Sequence, residues 1–417
     1  MGSESAPKQR AVAIAAIVAL AILAFAFATR RDFYIEALID PFFGLALVSV
    51  LILHFRLRPR IVDALLVCLI TLVLAIIDFQ VLHYPVRLMA WLSFLGVSSL
   101  LVLGGACAVA KSKNRKLLLY AWFPALLFLA SDWFASNMLA WISDFRPRTL
   151  DLYLLSFDAS LHIQPSFLAG QVFDRVRWLQ APSLIVYMGL AIPITLVYAG
   201  RLARFGTKAF SAMLAFLITG PVGIFFYSIF PACGPAHMAP GYFPFHPISI
   251  AQTSRMLLEP IAIPGARNAI PSLHIAWVLL AWWYSRGLSR LERAIVLVFV
   301  VFTAFATLGT GEHYFVDLVV AFPFALMIYA ACAHELGWSN RQRLSAVGFG
   351  LAGVLTWFVA LRFGNRVFWT SPIVPWSLVI ATIALVELRR VELLRSASPE
   401  RELSNSGEPD VVAAETD

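Results

Sequence analysis

Apolar stretches of about 20 residues recur along almost the whole chain, among them 61–82, 88–110 and 294–310. A helix rising ~1.5 Å per residue needs about 20 residues to cross the ~30 Å hydrocarbon core of a bilayer. No water is present there to satisfy backbone N–H and C=O groups, so a chain built of such stretches folds as internally bonded helices. The composition leaves no soluble alternative. Hydrophobic residues make up 60% of the 417 and charged residues 13%, against about 25% charged in soluble domains. Mean hydropathy is +0.80. These features imply an all-α, polytopic membrane protein and exclude a cytosolic enzyme or a secreted disulfide scaffold. They also remove the usual reading of a +8 net charge as a nucleic-acid footprint. Cys68, Cys107 and Cys332 lie in apolar stretches and Cys233 stands alone, so no close-spaced pair suggests a metal knuckle or redox motif.

The stretches predict about twelve transmembrane helices: 11–28, 39–54, 61–82, 88–110, 117–142, 183–200, 209–230, 271–285, 294–310, 313–333, 344–361 and 372–388. The first follows Lys8 and Arg10 as a signal peptide would, but its apolar run is longer than a cleavable one, so a retained anchor is expected. With the N-terminus in the cytoplasm, 21 of the 32 Lys and Arg fall on the inner side and none inside a span. That asymmetry is the positive-inside rule, sharpest in the short loop Lys111–Lys116. An even number of spans then leaves both termini cytoplasmic. Two outer segments are long, 143–182 and 231–270. Apolar residues at helical spacing from Leu154 to Ala169 predict an amphipathic helix lying on the membrane. The second segment is rich in Pro and Gly and is expected to be irregular. Residues 396–417 are polar and aperiodic, the pattern of a disordered tail.

Two polar segments interrupt the apolar background: Pro271-Ser272-Leu273-His274, and Gly311-Glu312-His313 running on to Asp317. Ionisable groups in spans are costly and usually face the bundle interior. His313 and Asp317 are four apart, so a helix sets both on one face. The eighth span starts outside and the tenth starts outside again, so His274 and His313 share the outer membrane level. Two histidines and a carboxylate can transfer a phosphoester. His313 would attack phosphorus, Asp317 would orient and stabilise the ring, and His274 would protonate the leaving oxygen and then activate the acceptor. Histidine suits both jobs because it titrates near physiological pH. Two other readings exist: hydrogen-bonded helix-end histidines, and a metal ligand set. Convergence of three such groups at one face favours catalysis, with no metal and no cofactor.

At these residues the chain resembles a known family. PSLH followed by HYFVD is similar to the second and third signatures of the type 2 phosphatidic acid phosphatase superfamily. HYFVDL, with Ala306-Thr307 ahead of it, more narrowly resembles the inositol phosphorylceramide synthase (aureobasidin-resistance protein) branch. Asp158 to Pro165 echoes an Asp…Pro segment of that branch. The resemblance implies a six-helix phosphatase-like core with an outward active site, mapped onto 117–333. It also implies nucleophile, orienting and acid roles for His313, Asp317 and His274. Around that core stand an N-terminal four-helix region, 1–116, two C-terminal helices, 334–395, and the tail.

One departure matters. The superfamily's first signature, KxxxxxxRP, is missing: Arg146-Pro147 is a half match, with Leu139 at the lysine position. Phosphate oxygens gathering charge need fixed cations or donors. Arg267 is the first candidate, followed by Arg255, with Ser272 and nearby amides as further donors. Asp132, Glu312 and Arg146 are candidate substrate contacts, and His237 and His246 are weaker ones. The function expected is transfer of a phosphoester from a membrane lipid, through a phosphohistidine, to a polyol or lipid alcohol. A lipid phosphatase results if water is the acceptor. A transporter or flippase is the rival class, against which stand the missing inverted repeat and the clustering of polar residues at one face.

Overall fold

A computed structural model describes residues 41–78, 80 and 88–396, though not the side chains of 41–44, 88–90, 112–114, 128–136 and 207. The expected anchor at 11–28 and the tail after 396 lie outside the described residues. Helix α1 is Pro41–Arg56, α2 Ile61–Ile77, α3 Leu88–Val109 and α4 Ser112–Phe145. Two short helices follow, α5 (Asp151–Ser160) and α6 (Pro165–Arg175), then α7 (Arg177–Met188) and α8 (Ala191–Phe205). After α9 (Phe210–Ile229) come α10 (Leu273–Tyr284), α11 (Arg290–Gly309), α12 (Phe315–Ala331), α13 (Arg341–Phe363) and α14 (Ile373–Ser396).

Among the described residues, four helices are long and apolar enough to cross a bilayer: Trp91–Val109, Phe210–Ile229, Arg290–Gly309 and Arg341–Phe363. A fifth span results if α7 and α8, bent 54° to one another, count as one. The helix expected straight through 183–200 is therefore broken. The break sits at Gly189, and Pro193, four residues on, brings no N–H to the Gly189 carbonyl, which accepts instead from Ile192 at 2.9 Å. Helices Leu45–Arg56, Ile61–Ile77, Leu273–Tyr284 and Phe315–Ala331 are equally apolar but shorter. Helix α2 exposes the apolar side chains Ile61, Leu65, Leu69, Leu72 and Ile76, as a lipid-facing helix would. In water a face of that kind would mark an aggregation or docking site.

The centre of the bundle is α12. It is buried almost continuously from Val316 to Ala330 and packs against α9, α10, α13 and α14. Helices apolar on every side belong in such positions. One apolar core runs from Val50 and Leu53 in α1 to Val386 and Leu393 in α14. Packing thus continues across the boundaries expected at 116 and 333. Arg56 of α1 pairs with Glu292 of α11, whose other carboxylate oxygen closes a capping box with Ser289.

The amphipathic helix expected along 154–169 is in fact two helices, and the first is buried within the protein rather than exposed along one face. His162 adopts a left-handed φ of 60° and Pro165 opens α6, which separates the pair. All of α5 except Leu152 is buried, between α12 and α13. The two long segments 143–182 and 231–270 are joined by a short antiparallel pairing of Arg148–Thr149 with Ile261–Ala262. That pairing gives the Pro-rich stretch 231–270 its order, along with one-turn helices at Pro235–Met238 and Ile250–Thr253.

Candidate active site

His313 lies just before α12 and is 1% exposed. Its Nδ1 is 2.8 Å from the Ala269 carbonyl. A carbonyl only accepts, so Nδ1 carries the proton and Nε2 keeps its lone pair. Nε2 faces the Ser272 hydroxyl at 3.3 Å. Asp317, in the first turn of α12, has Oδ2 3.5 Å from Nδ1 and accepts the Tyr314 N–H at 2.7 Å. The ring N–H expected on Asp317 therefore goes first to a backbone carbonyl, with the carboxylate beside it. Asp317 Oδ1 is buried with no hydrogen-bond partner among the described residues. The Ser272 N–H donates to the Asp317 carbonyl at 3.2 Å, so the starts of α10 and α12 are bonded directly.

A layer of α5 and α6 side chains supports this turn. Asp158 accepts from the N–H groups of Phe315 at 2.7 Å and Val316 at 3.2 Å. These amides are orphan donors of a helix N-terminus, where a carboxylate also complements the dipole. Asp151 accepts from Gly234 N–H at 2.9 Å, from Cys233 N–H at 3.1 Å and from the Tyr314 hydroxyl at 3.1 Å. Ser166 donates to the His313 carbonyl at 2.9 Å. Burial pushes Asp151 above the ordinary carboxylate range and Asp158 well above it, against the pull of their amide donors. Asp151 and Ser166 have no sequence signal of their own. Asp158 has one only through the family likeness.

His274, in the first turn of α10, comes to 6.3 Å from His313 between ring centroids, the planes at 69°. Its other face stacks on Tyr187 at 4.2 Å and 13°. The structure thus brings the two histidines together. Glu312 precedes His313 and faces His237, with Oε1 3.6 Å from Nε2, and both side chains are about one-third exposed. The neighbouring Glu312 carboxylate raises the His237 pKa above its ordinary value, burial opposing. Gly234, at φ 106°, packs so close to the Glu312 carbonyl that no Cβ fits, and Ala236 N–H bonds to Gly311 at 3.0 Å.

The arginines sit differently from expectation. Arg267 is 4% exposed, but Nε donates to the Arg146 carbonyl at 3.0 Å, Nη2 to Pro147 at 2.9 Å and Nη1 to Gly265. Nη1 also meets Cys233 Sγ at 3.4 Å. Arg267 is a buried brace between the two long segments, with most of its donors already bound, rather than an open phosphate clamp. Arg146 is exposed and donates to Ser228, and Arg255 is exposed after its one-turn helix. His246 is exposed as well, 6.4 Å from the Tyr242 ring. The Asp132 side chain lies outside the described residues. Among the described residues, no three His, Cys, Asp or Glu side chains are grouped to hold a metal ion.

A family model described as the PAP2 superfamily matches residues 152–331. The match runs from α5 to the end of α12 and includes Asp158, Ser272, His274, His313 and Asp317. It is to the superfamily and does not single out the inositol phosphorylceramide synthase branch. No curated protein and no solved structure matches the chain.

Proposed function

We propose that the protein is a membrane-embedded phosphotransferase acting on a lipid-linked phosphoester through a phosphohistidine at His313. The observation that carries this is the convergence of two helix-start histidines, 6.3 Å apart, one with its tautomer set by a carbonyl. The PAP2 superfamily match supports the same class, since that superfamily comprises phosphatases and phosphotransferases acting on lipid phosphates. His313 Nε2 attacks phosphorus and forms the N–P bond as the bond to the leaving oxygen breaks. His274 gives that oxygen a proton. Asp317, 3.5 Å from Nδ1, stabilises the positive charge developing on the ring. His274 then takes a proton from the acceptor, whose oxygen displaces His313 from phosphorus. The Ser272 hydroxyl and backbone amides opening α10 are the donors for the phosphate oxygens.

In this reading the site faces the extracytoplasmic side of a twelve-span chain with both termini cytoplasmic, and no metal takes part. The acceptor is an alcohol, as in the inositol phosphorylceramide synthase branch; water as acceptor makes the protein a lipid phosphatase. The test is turnover of radiolabelled phosphatidylinositol and phosphatidic acid by the purified protein, with acid-labile label sought on His313. His313→Ala lowers turnover by at least ~10³-fold and abolishes the label. Retained turnover in that variant sinks the mechanism.

A further inference from the structure

Glu312 has no part in the chemistry above, although it is the residue next to the nucleophile. A carboxylate repels phosphate oxygens, so a place beside the attacking nitrogen needs another reason. Its surroundings supply one. The Glu312 carboxylate faces His237 at 3.6 Å across the rim of the site, beyond the reach of a direct hydrogen bond. Both side chains are about one-third exposed, while His313 and Asp317 behind them are buried. The pair is fixed from both sides. The one-turn helix bearing His237 is bonded through Ala236 to Gly311, and Gly265 packs so tightly on the His237 ring that no Cβ fits. Glu312 is next in the chain to His313, whose ring lies 6.3 Å from that of His274. The rim pair therefore adjoins the two histidines of the site through His313.

We infer that Glu312 and His237 form a subsite for a hydroxyl of an alcohol acceptor. A fixed acceptor and a fixed donor 3.6 Å apart match one O–H group. An oxygen ~2.8 Å from each donates to the carboxylate and accepts from the imidazole N–H. A phosphate or carboxylate group would meet repulsion from Glu312, and an apolar chain would strip both side chains of water without replacing it. The pair binds and orients, and the acceptor's proton leaves through His274. The inference rests on the phosphohistidine reading and makes its acceptor an alcohol rather than water.

The experiment uses the full-length protein with radiolabelled phosphatidylinositol or phosphatidic acid as donor and glycerol at graded concentrations in water. The measured quantity is the ratio of label transferred to glycerol to label released by hydrolysis. In the wild type that ratio rises with glycerol and saturates. In Glu312→Gln and His237→Asn it falls about tenfold at a fixed glycerol concentration, the scale of one hydrogen bond to a charged group. A ratio within twofold of wild type in both variants overturns the inference, as does a strictly linear dependence on glycerol. Loss of fold scales both products alike and leaves the ratio untouched, so a damaged variant does not mimic the effect. His313→Ala in the same assay reports on the phosphohistidine separately: turnover surviving there overturns that reading, whatever the ratio does.

Discussion

The two histidines of the site are held by different physics. His313 is fastened by hydrogen bonds from several segments: its ring to Ala269 and Ser272, its carbonyl to Ser166, and its helix start to Asp158. His274 is held, among the described residues, by one parallel ring, Tyr187. Tyr187 lies two residues from Gly189, where α7 and α8 part at 54°. The His313 side is a hydrogen-bond network in a buried setting, where each bond is strong and each loss expensive. The His274 side is a stack on a bent helix pair, worth less and easier to displace. A firmly held His313 facing a more loosely held His274 suits the proposed reaction, in which His274 meets first a leaving oxygen and then an entering one.

Breaking the network should have the largest effect. Asp158→Ala leaves the Phe315 and Val316 N–H groups buried without an acceptor, at about 1–3 kcal/mol each. We expect a loss of stability on the order of 2–5 kcal/mol and a fall in turnover of at least ~10²-fold as the start of α12 shifts. Asp158→Asn keeps one acceptor oxygen and should recover part of both. Thermal melting and turnover of the two variants check this. An Asp158→Ala protein with wild-type melting and activity would remove the contrast between the two sides.

How far the sequence revealed this arrangement follows from the same contrast. His274, His313 and Asp317 are legible because each is polar against an apolar background, and the spans read from the sequence put the two helix starts at one expected level. The groups that hold them are not. Ala269 contributes a carbonyl, which any residue possesses. Asp151 and Ser166 act from α5 and α6 across 163 and 147 residues of chain, a separation without periodic trace. The apolar run in α5 did suggest a helix, but periodicity alone cannot separate a face turned to lipid from one turned to protein. Arg267 misled for a related reason. An arginine four residues before PSLH suggests phosphate binding, and its use by the carbonyls of Arg146, Pro147 and Gly265 depends on a fold that joins two distant loops.

The softer side can be tested at intermediate scale. Tyr187→Leu removes the stacked ring, and aromatic pairs contribute about 0.5–1.5 kcal/mol beyond area burial. We expect kcat to fall about threefold to tenfold, with Tyr187→Phe recovering most of it. A donor with p-nitrophenol as leaving group separates positioning from structure, because that leaving group needs little protonation. If Tyr187 acts by orienting His274 as acid, the first chemical step with such a donor should be almost insensitive to Tyr187→Leu. Equal losses with both donors would make Tyr187 a packing residue and leave the His274 side without its proposed support.

The smallest effect is expected at the rim, where the two sides meet. The Glu312 carboxylate raises the His237 pKa, burial opposing. A histidine whose folded pKa exceeds its unfolded value of about 6.5 stabilises the fold fully below that unfolded value. The contribution fades as pH rises through the folded pKa. Both partners are about one-third exposed, so solvent screens the pair and the contribution is slight. Melting of the wild type and His237→Asn should therefore differ most near pH 5.5–6 and converge above pH 8. Asp151 and Asp158 anchor the His313 side in both proteins, so their titration cancels in the difference. A difference that grows with pH would mean that His237 is held neutral and would break the pairing with Glu312. A flat difference would assign its contribution to packing against Gly265.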